Sequence, residues 1–215
     1  KKMIILISSV KGGVGKSTVA TNIACYLAQR DEDVLLVDAD YQGTATDFNA
    51  VRSDQEVKQF STVHIRGKGV RAELQKLEQK YKFIVVDVMG ADSVELRASL
   101  SIADKALFIQ KPQAFSMWTN DLVTELVEQA QAINPKLQVF SAINLGYAQG
   151  DDNQEALDML KEDPNINLIN SVLVTRKAYA DAGAQGLAIN ELPRRNKKAI
   201  DEFDKLFIEF MGAEK

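Results

Sequence analysis

Cysteine is almost missing from this chain: Cys25 is the sole one in 215 residues. An intramolecular disulfide framework is excluded, and the composition points to a reducing compartment. No apolar run approaches the length of a membrane span, and no signal-peptide pattern precedes the first apolar segment. The chain opens on Lys1 instead of methionine, as expected of a trimmed or tagged N-terminus. An excess of positive charge is also lacking. Lys and Arg total 26 against 30 Asp and Glu, a net charge of -4. Binding to nucleic acid therefore requires a local basic patch. Internal repeats, low-complexity tracts and linkers are absent, so residues 1–215 read as one domain. At 46% hydrophobic residues, the chain has enough apolar surface to bury a core.

What is present begins with Ile4-Ile5-Leu6-Ile7, an apolar run that reads as a buried strand. The turn Lys11-Gly12-Gly13-Val14-Gly15-Lys16-Ser17-Thr18 follows. Then Val19, Ile23 and Leu27, with Ala20, Ala24 and Ala28, recur at helical spacing. Strand, glycine-rich loop and helix with Gly-Lys-Ser at the loop's end form a phosphate-binding loop. Glycines let the backbone approach phosphate oxygens, and the helix N-terminus adds partial positive charge. Lys16 is expected to reach the β- and γ-phosphates, and the Ser17 hydroxyl to ligand Mg²⁺. The general motif wants glycine at position 10, where this chain has Val10, and a second lysine, Lys11, heads the loop.

Further strands are expected at 33–40, 63–65, 83–88, 105–109, 138–144 and 168–174. Helices are expected at 70–80, 94–102, 117–133, 151–162, 177–184 and 199–211. Residues 41–44 read as a turn, and 50–59 are polar without a clear period. Met89 to Ser93 reads as a loop, and Lys111-Pro112-Gln113 breaks the pattern. Alternating strands and helices predict an α/β fold: a doubly wound, mostly parallel sheet flanked by helices. Cys25 is expected in the core.

In such sheets ligands sit beyond the carboxyl ends of the strands. Asp38, Asp40 and Asp87 end two apolar runs and belong on the rim with the phosphate loop. Asp38 and Asp87 read either as Mg²⁺-proximal acids acting through water or as caps of the following helices. Asp40 shares a strand face with Asp38 and is placed to orient the water that attacks a γ-phosphate.

The stretch K-G-G-V-G-K-S-T resembles the deviant Walker A motif of the ParA/MinD family of ATPases. V-L-L-V-D-A-D-Y-Q-G-T-A-T is similar to the family segment in which Asp-x-Asp precedes Pro-Gln-Gly-Asn, with Tyr41 in the proline's place. V-V-D-V-M-G-A-D-S resembles its second switch, though Val88-Met89-Gly90 departs from the commonest forms. A-I-N-L-G resembles the strand end whose asparagine, here Asn144, contacts adenine. The resemblance implies a P-loop ATPase using ATP and Mg²⁺, with Asp40 as the water-orienting acid and Asp38 and Asp87 near the metal. It implies an ATP-dependent homodimer in which Lys11 crosses to the partner's ATP. The length is similar to that of small plasmid-type ParA and ParF proteins.

That likeness implies a cytoplasmic, nucleoid-associated ATPase that binds nonspecific DNA, answers to a ParB-like or other adaptor, and positions a plasmid, chromosome or protein assembly. The candidate DNA patch is Arg194, Arg195, Lys197 and Lys198, joined by Arg176 and Lys177; a merely solvated face is the alternative. A MinD-like membrane-cycling ATPase would want a basic amphipathic C-terminal helix, whereas the tail here is acidic and its stripe of Ile200, Phe203, Phe207 and Phe210 suits a core. No membrane partner is expected. A metabolic ligase or metal carrier on the same fold is the third reading; an iron–sulfur relative would need paired cysteines, and there is only Cys25.

Overall fold

A computed structural model describes residues 2–90, 92–112 and 117–212 of the chain. Ala91 and Gln113, which belong to two expected loops, and the last three residues of the acidic tail lie outside the described residues. The strands are β1 (Met3–Ser8), β2 (Val34–Ala39), β3 (Ser61–His64), β4 (Phe83–Val88), β5 (Lys105–Gln110), β6 (Gln138–Gly146), β7 (Asn167–Leu168) and β8 (Leu173–Val174). They form one sheet in the order β3-β2-β4-β1-β5-β6-β7, with β8 also on β6, and every pairing is parallel.

The helices are α1 (Lys16–Ala28), α2 (Thr44–Arg52), α3 (Val70–Glu78), α4 (Val94–Leu100), α5 (Met117–Ile133), α6 (Asp152–Leu160), α7 (Lys177–Ala184) and α8 (Lys197–Met211). Side chains alternate across the sheet and so feed two cores. Ile5, Ile7, Leu36 and Val85 pack with α1, α2 and α8 on one face. Ile4, Leu6, Val37 and Val86 pack with α3, α4 and α5 on the other. Both faces being covered explains why β1, β2 and β4 are unbroken apolar runs. On α8, Phe203, Leu206, Phe207 and Phe210 are buried, each such side chain stabilising by about 1.5–3 kcal/mol. Tyr26 of α1 packs against Phe203 and Phe207, ring centroids 5.0 and 5.3 Å apart. Cys25 is buried as expected, and burial pushes its thiol well above the ordinary range.

Three elements differ from the sequence expectation. The polar stretch after Gly43 is helix α2, which buries only Ala45, Phe48 and Arg52; so few apolar positions leave little period to read. The last expected strand, 168–174, is broken into β7 and β8. Glu209 of α8 accepts from the Asn170 and Ser171 N–H groups at 2.7 and 3.1 Å, replacing ladder partners there. The register slips opposite this break, where β6 bulges between Asn144 and Gly146 and Leu145 takes φ of 55°. Finally, α8 begins at Lys197, which brings Lys197 and Lys198 into its first turn.

Candidate functional site: a phosphate loop beside buried carboxylates

β1 ends at Ser8 in the middle of the sheet, and the loop from Ser9 to Gly15 leads directly into α1. Gly15 caps α1 with φ of 84°, a left-handed conformation that suits glycine. A Cβ there would lie 2.3 Å from Asn144 Nδ2. Asn144 is buried and its amide donates to the Val14 carbonyl at 2.8 Å. The residue matched to adenine from sequence thus braces the back of the phosphate loop, on the side of β6 that Ala142 gives to the α1 core. Gly12 and Gly13 are exposed, Val14 is buried, and Ser17 and Thr18 are half-buried at the start of α1. Lys11 is exposed at the head of the loop, and its carbonyl accepts from the Ser9 hydroxyl at 2.5 Å.

Strand alternation decides where the acids go. Val34 and Leu36 of β2 and Phe83 and Val85 of β4 face the α1 core. Asp38, Asp40 and Asp87 continue those series and emerge on the α1 side at the carboxyl rim. Asp38 and Asp87 are register partners on adjacent strands. Lys16 Nζ lies 3.8 Å from Asp40 Oδ2, with both side chains about one-tenth exposed or less. Asp40 Oδ1 also accepts from the Gln42 N–H at 3.0 Å.

The two candidate metal-proximal acids have separate fates. Asp38 Oδ2 accepts from the Thr46 N–H and hydroxyl at 2.8 and 2.9 Å, and Oδ1 from the Asp40 N–H at 3.2 Å. Asp38 therefore caps the first turn of α2, whose own cap, Gly43, has no side chain to do so. Asp87 is fully buried, and neither carboxylate oxygen has a hydrogen-bond partner in the structure. Burial pushes its pKa up to about 7; the nearby Ser17 hydroxyl and Lys16 ammonium oppose the rise, and Asp38 and Asp40 reinforce it.

A buried carboxylate without a partner, beside a serine hydroxyl, is a hard-oxygen pair that fits Mg²⁺. Mg²⁺ takes one or two protein oxygens and completes its shell with water and phosphate. Ser17 and Asp87 are the residues that would hold it. When bound, Mg²⁺ neutralises charge on the β- and γ-phosphates.

Asp87 also sets a pH dependence. Its folded pKa of about 7 lies above the ordinary 3.8, so the native state holds the proton more tightly than the unfolded chain. Its contribution to stability is complete below the unfolded pKa, declines as pH rises through that window, and is lost above the folded value. Asp87→Asn is expected to flatten the decline between about pH 4 and 7 and to raise nucleotide-free stability above that window. Urea midpoints across that range measure it; equal declines in parent and variant would refute it.

Of the six basic residues read from sequence, the structure groups five. Lys177, Arg194, Arg195, Lys197 and Lys198 line one groove of about 840 Å³ between α7 and the start of α8. Arg176 does not join them as a free cation: both ends of its guanidinium are held by Glu202 of α8. Lys177 pairs with Asp181 at 3.1 Å. Sequence reasoning missed Thr46, for which the T-A-T after Asp-x-Asp is a usable signal. It also missed Arg52 and Glu191, described below, for which no local signal exists.

The CobQ/CobB/MinD/ParA nucleotide binding domain matches residues 5–189. Maintenance of carboxysome distribution protein A of Halothiobacillus neapolitanus is 26% identical over 213 residues, covering 97% of this chain and 96% of that protein. An ATP complex of a Cyanothece McdA variant superposes with a TM-score of 0.81 at 18% identity, over 100% of this chain and 98% of the other. The cell division ATPase MinD of Pyrococcus furiosus gives 0.74 at 18% identity, over 98% and 99%.

Proposed function

The chain belongs to the CobQ/CobB/MinD/ParA nucleotide-binding family and is a P-loop ATPase with ATP and Mg²⁺ as cofactors; from that premise we propose that it is a positioning ATPase of the ParA type. ATP closes a homodimer, with Lys11 reaching the partner's nucleotide. The dimer holds DNA without sequence preference on the nucleoid. Hydrolysis, stimulated by a ParB-like or other adaptor, releases it, and a plasmid, chromosome or protein assembly is moved in the process. The near-complete mutual coverage with a protein named for carboxysome distribution supports a positioning role.

The chain's own groups account for the chemistry. The loop amides and Lys16 hold the phosphates. Asp40, freed from Lys16 as phosphate takes its place, orients the attacking water, and phosphoryl transfer asks for little beyond such positioning and charge neutralisation. The MinD-like membrane reading finds less support, because the apolar stripe of α8 is spent on the core.

The observation that carries DNA binding is the start of α8. Arg194, Arg195, Lys197 and Lys198 are exposed. Lys197 and Lys198 occupy the first turn of α8, which holds no acidic residue. Cations there oppose the helix dipole, at a cost of about 0.3–1 kcal/mol each. A surface that gives up stability to concentrate positive charge suits a polyanion. Duplex affinity with ATP is expected to fall steeply with salt, and random and defined duplexes to compete equally. Replacing Arg194 and Arg195 by alanine is expected to weaken binding and, with two charges lost from each protomer of the dimer, to lower the salt slope by about 4, leaving DNA-free ATP turnover unchanged. Fluorescence anisotropy across a salt series with ATP and with ADP measures this. Equal binding in both nucleotides, or an unchanged slope in the variant, would remove the patch from the mechanism.

A further inference from the structure

Arg52 is the largest fully buried side chain of the molecule's described residues, and it sits at the last position of α2. Its guanidinium donates to both carboxylate oxygens of Glu191 at 2.7 and 2.9 Å, to the Lys58 carbonyl at 3.1 and 2.6 Å, and to the Gly186 carbonyl at 3.0 Å. Those five contacts use the full donor set of an arginine. Gly186, with φ of 67°, lies directly on α2: a Cβ there would stand 2.4 Å from the Arg52 backbone nitrogen. Glu191 in turn accepts from the Ala188 N–H at 2.7 Å. The strap 186–191 is thus clamped to the end of α2.

The same strap is tied to α1. The Ile189 N–H donates to Asn22 Oδ1 at 2.8 Å, and the Asn22 amide donates to the Thr18 carbonyl at 2.8 Å, within the first turn after the phosphate loop. Gln29, just past the end of α1, donates to Asn190 Oδ1 and Glu191 Oε1 at 3.1 and 2.9 Å. Both helices that start at the nucleotide rim therefore end on one six-residue segment. Beyond it the chain runs through Leu192 and Pro193 into Arg194 and the basic start of α8.

α2 is suited to carry a displacement. Its first turn hangs on Asp38 through Thr46, and nine residues of helix make a rod of about 13 Å. Ala45 and Phe48 of α2 pack with α1 in the core, but the outer edges of the two helices are parted by an open surface cleft of about 240 Å³, lined by Ser17, Thr18 and Asn22 of α1 and the exposed Asp47 and Val51 of α2. The seam leaves α2 room to shift against α1 when the Asp38–Asp40 loop responds to a γ-phosphate.

We infer that Arg52 and Glu191 are positioning residues: their clasp carries the state of the nucleotide site along α2 to the strap 186–191 and so sets the placement of the Arg194–Lys198 patch. The inference rests on the DNA-binding reading of that patch, and it assigns no contact with ATP or DNA to either residue.

The test compares parent, Glu191→Gln and Arg52→Lys by duplex anisotropy with ATP and with ADP, alongside DNA-free ATP turnover and thermal melts. The ratio of ATP to ADP affinities for duplex is expected to fall at least about fivefold in both variants, the lower end of ordinary coupling between sites. ADP-state affinity and DNA-free turnover stay at parent values. A folded Glu191→Gln protein that keeps the parent's ratio overturns the inference. Hydrogen exchange on the parent decides the matter even where the variants do not fold. Protection of the Ala188 and Ile189 amides is expected to change between ADP and a non-hydrolysable ATP analogue, whereas identical protection refutes the link. A parent that binds no duplex in either nucleotide removes the DNA reading, and the patch as the strap's output with it. The exchange measurement separates that failure from failure of the clasp itself.

Discussion

Asp40→Ala is expected to lower ATP turnover by a factor on the order of 10²–10⁴ while ATP binding is kept or tightened. The rate loss is the usual worth of a group that orients or deprotonates a nucleophile. The binding expectation comes from the geometry. Lys16 Nζ stands 3.8 Å from Asp40 Oδ2, and both side chains are nearly buried. Before nucleotide arrives, Asp40 is the counter-charge of the lysine that a phosphate must recruit. Removing it leaves the ammonium without that partner and takes one negative charge from a rim that also holds Asp38 and Asp87. A triphosphate then meets less competition and less repulsion. Single-turnover hydrolysis and equilibrium titration with ATP separate the two effects. Parent-like turnover at saturating ATP, or loss of binding with the fold intact, would refute the assignment. In the dimer proposal the same variant accumulates as an ATP-bound dimer, which light scattering detects; a monomer saturated with ATP would count against it.

Lys16→Ala is expected to abolish useful ATP binding, with affinity falling at least about a hundredfold. Charge-assisted hydrogen bonds are worth about 1.5–3 kcal/mol net, and 1.4 kcal/mol is tenfold in affinity. The surroundings push the loss to the upper end. Lys16 is 7% exposed and faces Asp40 across the rim. Without its ammonium, Asp38, Asp40 and Asp87 would meet a triphosphate with only the loop dipoles and Mg²⁺ to offset them. Calorimetric titration with ATP and Mg²⁺ measures the loss. A variant that binds and turns over ATP like the parent would show that the phosphate seat lies elsewhere.

How much of this was legible without coordinates follows from what local sequence encodes. An apolar run, a glycine-rich turn and an alanine-rich helix specify strand, loop and helix at residues 3–28, and each prefers that state on its own terms. Parallel pairing then follows from the alternation of strands and helices. The two-residue period of a strand puts Asp38, Asp40 and Asp87 on the α1 side of one rim. That Lys16 and the acids lie on one rim was therefore readable from the sequence; the roles given to them are proposals.

Tertiary structure alone decided how the remaining charges were shared. Asp38 caps α2 while Asp87 stays without a partner, because only the packing of α2 brings Thr46 to one acid and not the other. Asn144 reaches the Val14 carbonyl because the sheet order and the crossovers set the end of β6 behind the phosphate loop. Glu202 and Glu209, on one helix in the last stretch of chain, hold Arg176 and the backbone of that break. Arg52 finds Glu191 across 139 residues of sequence. Periodicity tells which side of an element is buried, but it carries no record of which partner waits there. That partner is chosen by the crossovers and by the desolvation cost of leaving a buried charge unpaired, and both come into being only when the chain closes on itself.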